Sequence, residues 1–229
     1  MTTYVSVATI ATAIGFAAAP AAADIVYNAA ASSHELNANA DFGGSDADTL
    51  SVPGTVGGRV DADGTGPDGT EYASSYALVN RSETAQAIEV TLSSGVNGTN
   101  AYASGVVTST YSFGVDEAMT YTIAGDLDVY GFTGADVASA SIVLMADSTV
   151  VLDLDVEVFG DYDFAVAEFD YDLTPGVEYT AALSVNAYGQ EDASARAMFS
   201  VTPVPEPAAA TAGLLALGGL LRRTRRPTR

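Results

Sequence analysis

The stretch TVVLDLDVEVF (149–159) places Leu152, Leu154, Val156 and Val158 in one phase and Asp153, Asp155 and Glu157 in the other. Successive side chains of a strand point to opposite faces, so this period of two is that of a strand with one face buried and one in water. VEYTAALSVNAYG (177–189) repeats the pattern with Val177, Tyr179, Ala181, Leu183 and Val185 inward, just after a Pro175-Gly176 turn. YSFGVDEAMTYTIAG (111–125) supplies Tyr111, Phe113 and Val115, then Met119, Tyr121 and Ile123, with Asp116-Glu117 as the expected hairpin connection. Further strands are expected near 72–79, 87–92, 141–145, 162–169 and 195–201. In DYDFAVAEFDYDL the phase of Tyr162, Phe164 and Val166 leads to Glu168, and a bulge or a strand end is expected to correct it.

Eight or nine short strands with glycine punctuation, and no internal amphipathic helix, predict an all-β fold over 71–202. The expected form is an antiparallel β-sandwich with jelly-roll or immunoglobulin-like connections. The preceding segment, 24–70, is rich in Ala, Asn, Ser, Gly and Asp. It reads as an edge strand at Ile25–Tyr27 followed by loops.

Charge narrows the partners. Residues 24–207 hold all 29 acidic residues and three arginines, a formal charge of −26, and the chain has no lysine. Such a field repels nucleic-acid phosphates, so no nucleic-acid partner is expected. Outward carboxylates also keep sheet edges from pairing between molecules. The absence of cysteine excludes disulfides and thiolate chemistry.

The two ends differ from the body. Residues 1–23 form an uncharged apolar run closing on Ala21-Ala22-Ala23 before Asp24. Small residues at Ala21 and Ala23 meet the signal-peptidase rule, giving a signal peptide 1–23 and a mature chain from Asp24. At the other end, Pro203, Pro205 and Pro207 make a stiff spacer. Fourteen uncharged residues follow, 208–221, and then Arg222, Arg223, Arg225, Arg226 and Arg229. As a helix the apolar run covers about 21 Å against roughly 30 Å of hydrocarbon, short for a permanent transmembrane helix. The arginines are expected to stay on the cytoplasmic side.

Val204-Pro205-Glu206-Pro207, the short Ala/Gly/Leu helix and the arginine cluster together resemble the tail of PEP-CTERM sorting-domain proteins, over about 203–229. The resemblance implies that an exosortase, a membrane-embedded cysteine protease-transpeptidase, processes the protein near Pro205, Glu206 and Pro207. It also implies that 208–221 serves as membrane segment and Arg222–Arg229 as stop signal. A bacterial cell-surface, envelope or matrix location with transient membrane anchoring follows as an expectation, with exosortase and signal peptidase as processing partners.

For chemistry, DADGTGPDGTE (61–71) is the most site-like stretch. Asp61, Asp63, Thr65 and Asp68 supply closely spaced hard oxygens, and the intervening glycines let a loop curl around Ca²⁺. SDAD (45–48) and GDYD (160–163) read as solvated turns. His34, the sole histidine, sits in a polar stretch and is expected at the surface. No nucleophile elbow, Walker loop or dinucleotide fingerprint occurs, and no catalytic residue is assigned. Tyrosine, with 12 residues, is common, and outward examples such as Tyr188 could stack on sugar rings. The leading expectation is an exported, exosortase-processed surface or biofilm-matrix protein with a structural or interaction role. The alternative is an extracellular carbohydrate-binding module, Ca-assisted or not, binding extracellular polysaccharide; a third is a carboxylate-based hydrolase.

Overall fold

A computed structural model describes residues 23–50 and 56–204. The described part of the chain is built almost wholly of strands. Beside a three-residue 3₁₀ turn at Ala29–Ala31, it forms β1 (Ile25–Tyr27), β2 (Ser33–Ala40), β3 (Gly44–Leu50), β4 (Val56–Thr65), β5 (Tyr72–Glu83), β6 (Ile88–Thr99) and β7 (Ala103–Val115). There follow β8 (Met119–Gly131), β9 (Val137–Ala146), β10 (Thr149–Phe159), β11 (Tyr162–Leu173), β12 (Tyr179–Gly189) and β13 (Asp192–Pro203).

One sheet runs β10-β9-β12-β7-β2-β3, with β1 also on β7; the other runs β11-β8-β13-β6-β5-β4. Every pairing is antiparallel. The two orders correspond position by position, and strands adjacent in the chain face each other: β10 and β11, β9 and β8, β12 and β13, β7 and β6, β3 and β4. The polypeptide therefore crosses between sheets at most turns, as in a jelly roll. The expected antiparallel β-sandwich is observed.

The core follows from the period of two. Leu152, Val156 and Val158 of β10, Tyr179, Ala181, Leu183 and Val185 of β12, and Tyr111, Phe113 and Val115 of β7 are all buried between the sheets. Phe113 sits between Tyr111, 6.0 Å away, and Tyr179, 5.5 Å away, across β7 and β12. Each such aromatic side chain buries about 150–250 Å².

Four expectations are corrected. Asp116-Glu117 does not close a hairpin, because β7 and β8 lie in different sheets and the turn carries the chain across the core. β11 pairs with β8 in unbroken register from Tyr162↔Tyr130 to Leu173↔Met119, so no bulge interrupts it. Its inward phase is Ala165, Ala167, Phe169, Tyr171 and Leu173, and Tyr162, Phe164 and Val166 point to solvent. The bulge in this region belongs instead to β10, between Val150 and Leu152. Most of 24–70 is not loop: β2, β3 and β4 complete both sheets, their inward side filled by Leu36, Ala38, Val60 and Ala62. Alanine in place of larger residues made that alternation faint in the sequence.

The fourth correction concerns the membrane. Among the described residues no helix is long and apolar enough to cross one, contrary to the expected membrane helix. Residues 208–221, where it was expected, lie outside the described residues, as do the signal peptide through Ala22 and the tail from Pro205 onward.

Candidate ligand-binding face

The outer face of the β11-β8-β13-β6-β5-β4 sheet gathers side chains that have no part in the core. In β11, aromatic and β-branched residues suited to a strand occupy the outward phase. Tyr162, Phe164 and Val166 are 54%, 60% and 61% exposed. Tyr162 lies beside Tyr130 of β8, and that row continues through Ser194 and Gly95 to Tyr76. The adjoining row sets Phe164 beside Asp128 and Arg196.

Tyr76 lies flat because Gly95 lets it. A Cβ at Gly95 would run into the Tyr76 ring, so glycine at this outward position makes a floor on which the ring rests. The guanidinium of Arg59 lies 5.1 Å from the centre of that ring, a cation–π distance. Asp61 holds Arg59 from two positions up the same strand, with contacts of 2.6 to 2.9 Å. The ion pair holds the Asp61 carboxyl below its ordinary range, chiefly through the Arg59 hydrogen bond.

Next to the β11 aromatics a shallow groove of about 570 Å³ opens on the same face. Its middle is floored by Ala124 and Ser200, neighbours in register, with Glu168 and Glu89 at the two ends of that row. Asp126, Val166 and Met198 form the next row along the strands. Small residues in the centre and long ones at the rim make the depression. The surface thus joins apolar ring faces to carboxylate acceptors and guanidinium donors.

The residues singled out as metal ligands do not converge. Asp61, Asp63 and Thr65 are outward positions on the extended edge strand β4, about 6 to 7 Å apart in succession, instead of a loop curled around one point. Asp63 accepts from the Tyr72 hydroxyl at 3.3 Å, and Asp68, in the following turn, accepts from the amide and hydroxyl of Thr70. Among the described residues no three His, Cys, Asp or Glu side chains gather where an ion could be held. SDAD belongs to β3 and not to a turn.

His34 is the largest departure from the sequence reading. It is fully buried between the sheets, in a polar cluster with Tyr27 of β1, Arg81 of β5 and Ser109 and Tyr111 of β7. Arg81 donates from Nη1 to the Tyr27 hydroxyl at 3.1 Å and contacts His34 Nε2 at 3.0 Å. Arginine has only donors, so Nε2 is the accepting nitrogen and Nδ1–H donates to Ser109 Oγ at 2.7 Å. Burial, and secondarily the Arg81 charge, lower the imidazole pKa to about 4. The Tyr111 hydroxyl is pushed up by burial first, and then by Glu83. The alternation from Ser33 to Ala40 was the available signal: His34 shares its phase with the buried Leu36 and Ala38.

Asp136 was not singled out by the sequence either. It is fully buried in the β8–β9 connection and accepts four hydrogen bonds. The Thr133 amide and hydroxyl bond Oδ2 at 2.8 Å each, and the amides of Gln190 and Glu191 bond Oδ1 at 2.9 and 3.2 Å. Both interior sites are closed to solvent and serve the fold. Tyr188, expected outward, is 41% exposed and stacks on Tyr102 at 5.3 Å on the opposite side of the sandwich. Of the expected cleavage residues, Ala23 is buried and Asp24 exposed, whereas Ala21 lies outside the described residues. Val204 is described, with its amide bonded to Thr120 at 3.1 Å. Pro205, Glu206, Pro207 and Arg222–Arg229 lie outside the described residues.

No protein-family model matches this chain, and no curated protein matches it. Among solved structures, the chain is similar to a carbohydrate-binding module of a β-sandwich superfamily described for promiscuous specificity. The identity is 11%, over 76% of this chain and 83% of that one, with a TM-score of 0.20. It is also similar to the infectious bursal disease virus VP2 subviral particle, at 11% identity over 89% of this chain and 75% of that one, TM-score 0.20. The Gx strain of the same virus matches at 12% identity over 90% and 76%, TM-score 0.19. Scores this low carry no weight for function.

Proposed function

We propose that this domain is an extracellular carbohydrate-binding module that lays a polysaccharide across the outer face of the β11-β8-β13-β6-β5-β4 sheet. The observation that supports this reading is the outward placement of Tyr162 and Phe164 beside a groove rimmed by Glu89, Asp126 and Glu168. Exposed aromatic rings on a strand add nothing to the core, and they offer the flat apolar surface on which the C–H face of a pyranose stacks. Carboxylates at the rim accept from sugar hydroxyls. The width of several strands accommodates more than one sugar unit.

The test is a glycan array followed by calorimetry on the polysaccharide that scores highest. Tyr162→Ala and Phe164→Ala are each expected to weaken binding about ten-fold, the equivalent of roughly 1.4 kcal/mol. Their melting temperatures should stay near that of the parent, since both side chains stand in solvent. Tyr188→Ala, on the other side of the sandwich, should leave affinity unchanged. An array with no signal, or affinity indifferent to Tyr162 and Phe164, would refute the proposal.

Export belongs to the same reading. The leader and the PEP-CTERM-like tail are proposed to bring the acidic domain outside a bacterial cell, with signal peptidase and an exosortase as processing partners. Fractionation of cells making the full chain, beside cells making a chain that ends at Thr202, checks the route. The full chain is expected in the surface fraction and the shortened one in the medium; identical distributions would remove the tail from the proposal.

A further inference from the structure

We propose that the leader is removed between Ala21 and Ala22, so that the working protein begins at Ala22 and keeps Ala23. The inference rests on the export reading above. It comes from the way the start of the sandwich is seated.

Ala23 is 3% exposed, and its carbonyl accepts the Tyr121 hydroxyl at 2.7 Å. Tyr121 is itself fully buried, and its backbone pairs with Pro203 at the end of β13. Immediately after Ala23 the contacts continue. Asp24 N–H donates to the Asp116 carboxylate at 2.7 Å, the Asp24 carbonyl accepts the Asp116 amide at 3.2 Å, and Ile25 N–H donates to the Ala85 carbonyl at 2.7 Å. The fold is therefore occupied from Ala23 onward.

Cleavage after Ala23 would take away the acceptor of a buried hydroxyl together with a buried methyl group. A buried donor left without a partner is destabilising. The new ammonium at Asp24 would keep its contact with Asp116, but both residues are exposed, where an ion pair contributes little. Cleavage after Ala21 avoids the loss. Ala19 and Ala21 satisfy the small-residue rule as well as Ala21 and Ala23 do, with Pro20 between them. In the reaction, water adds across the Ala21–Ala22 peptide bond. The Ala21 carbonyl carbon takes the oxygen and becomes a carboxylate, and the Ala22 nitrogen leaves as an ammonium. Signal peptidase and water are the only reactants needed.

Two measurements test this. Intact mass and N-terminal sequencing of the protein exported from the full-length gene should give Ala22 as the first residue; Asp24 as the first residue overturns the proposal. Purified chains 22–229 and 24–229 should differ in melting temperature by about 3–6 °C, the longer one being more stable. In a Tyr121→Phe background, which removes the hydroxyl, that difference should shrink by half or more. Equal melting temperatures of the two parent chains would overturn this proposal alone. Recovery of an uncleaved chain from the cytosol would overturn the export reading and this proposal together.

Discussion

Asp136→Ala lowers the unfolding free energy by about 3–5 kcal/mol and the melting temperature by roughly 10 °C, measured by denaturant titration and calorimetry. One fully buried carboxylate accepts all four of the hydrogen bonds described above, and they come from two different connections. Thr133 lies in the same β8–β9 crossing. Gln190 and Glu191 are the two residues that carry the chain from β12 in one sheet to β13 in the other. Alanine leaves these donors facing a vacated space. Only glycine at 189 lets the end of β12 close on this carboxylate, because a Cβ there would run into Oδ1.

The carboxylate also carries a pH signature. Burial opposes its ionisation, yet the hydrogen bonds from Thr133, Glu191 and Gln190 together bring the Asp136 pKa below the ordinary value. A depressed carboxyl contributes stability above the unfolded pKa and loses it as pH falls through the folded one. Asp136→Asn, which keeps the shape and removes the charge, should therefore cost most near neutrality and progressively less in strong acid. A variant as stable as the parent at pH 7 would refute this role.

The second large effect belongs to His34. With a folded pKa of about 4 against 6.5 when free, the unfolded chain binds more protons between those values. Its contribution is complete above pH 6.5 and is lost as pH falls towards 4, a swing on the order of 3 kcal/mol. Protonation would place a hydrogen on Nε2 against the Arg81 guanidinium, and the pair would repel. Because the chain has one histidine, its imidazole resonance can be followed by NMR without assignment. The difference in stability between the parent and His34→Gln, recorded from pH 7.5 to 4, isolates the contribution of the ring. A midpoint near 6.5 would show that the ring is not held neutral by this cluster.

Both predictions concern groups that the sequence did not mark, and the reason is physical. A period of two says which residues share a face, and for Leu152, Val156, Tyr179 and Leu183 hydrophobicity also says which face is inward. At His34 and Arg81 chemistry and phase disagree. The phase of Leu36 and Ala38 puts His34 inside, whereas its polarity argues for water, and only the partners brought from β1, β5 and β7 resolve the conflict. The opposite conflict occurs in β11. Tyr162 and Phe164 look like core residues, but the inward phase is already filled by Phe169, Tyr171 and Leu173. The proposed binding face was visible in the sequence only as an apparent error of alternation.

Asp61, Asp63 and Thr65 show how spacing misleads in another direction. Residues two apart are close together on a curled loop and well separated on one side of a strand. The choice between the two depends on whether a partner strand is present. Tyr72–Glu83 supplies that partner and extends the segment.

By itself, the sequence determined that this chain folds from strands, roughly where those after residue 71 lie, and that its surface is strongly acidic. Those properties are local: each strand carries its own alternation, and charge is additive. Only the tertiary structure decided which strands share a sheet, that the Asp116-Glu117 turn crosses the core, and that His34, Arg81 and Asp136 are interior. It likewise decided that Tyr76, Tyr130, Tyr162 and Phe164 share one outer face. Those outcomes depend on contacts between residues far apart in the chain, and period alone does not encode them.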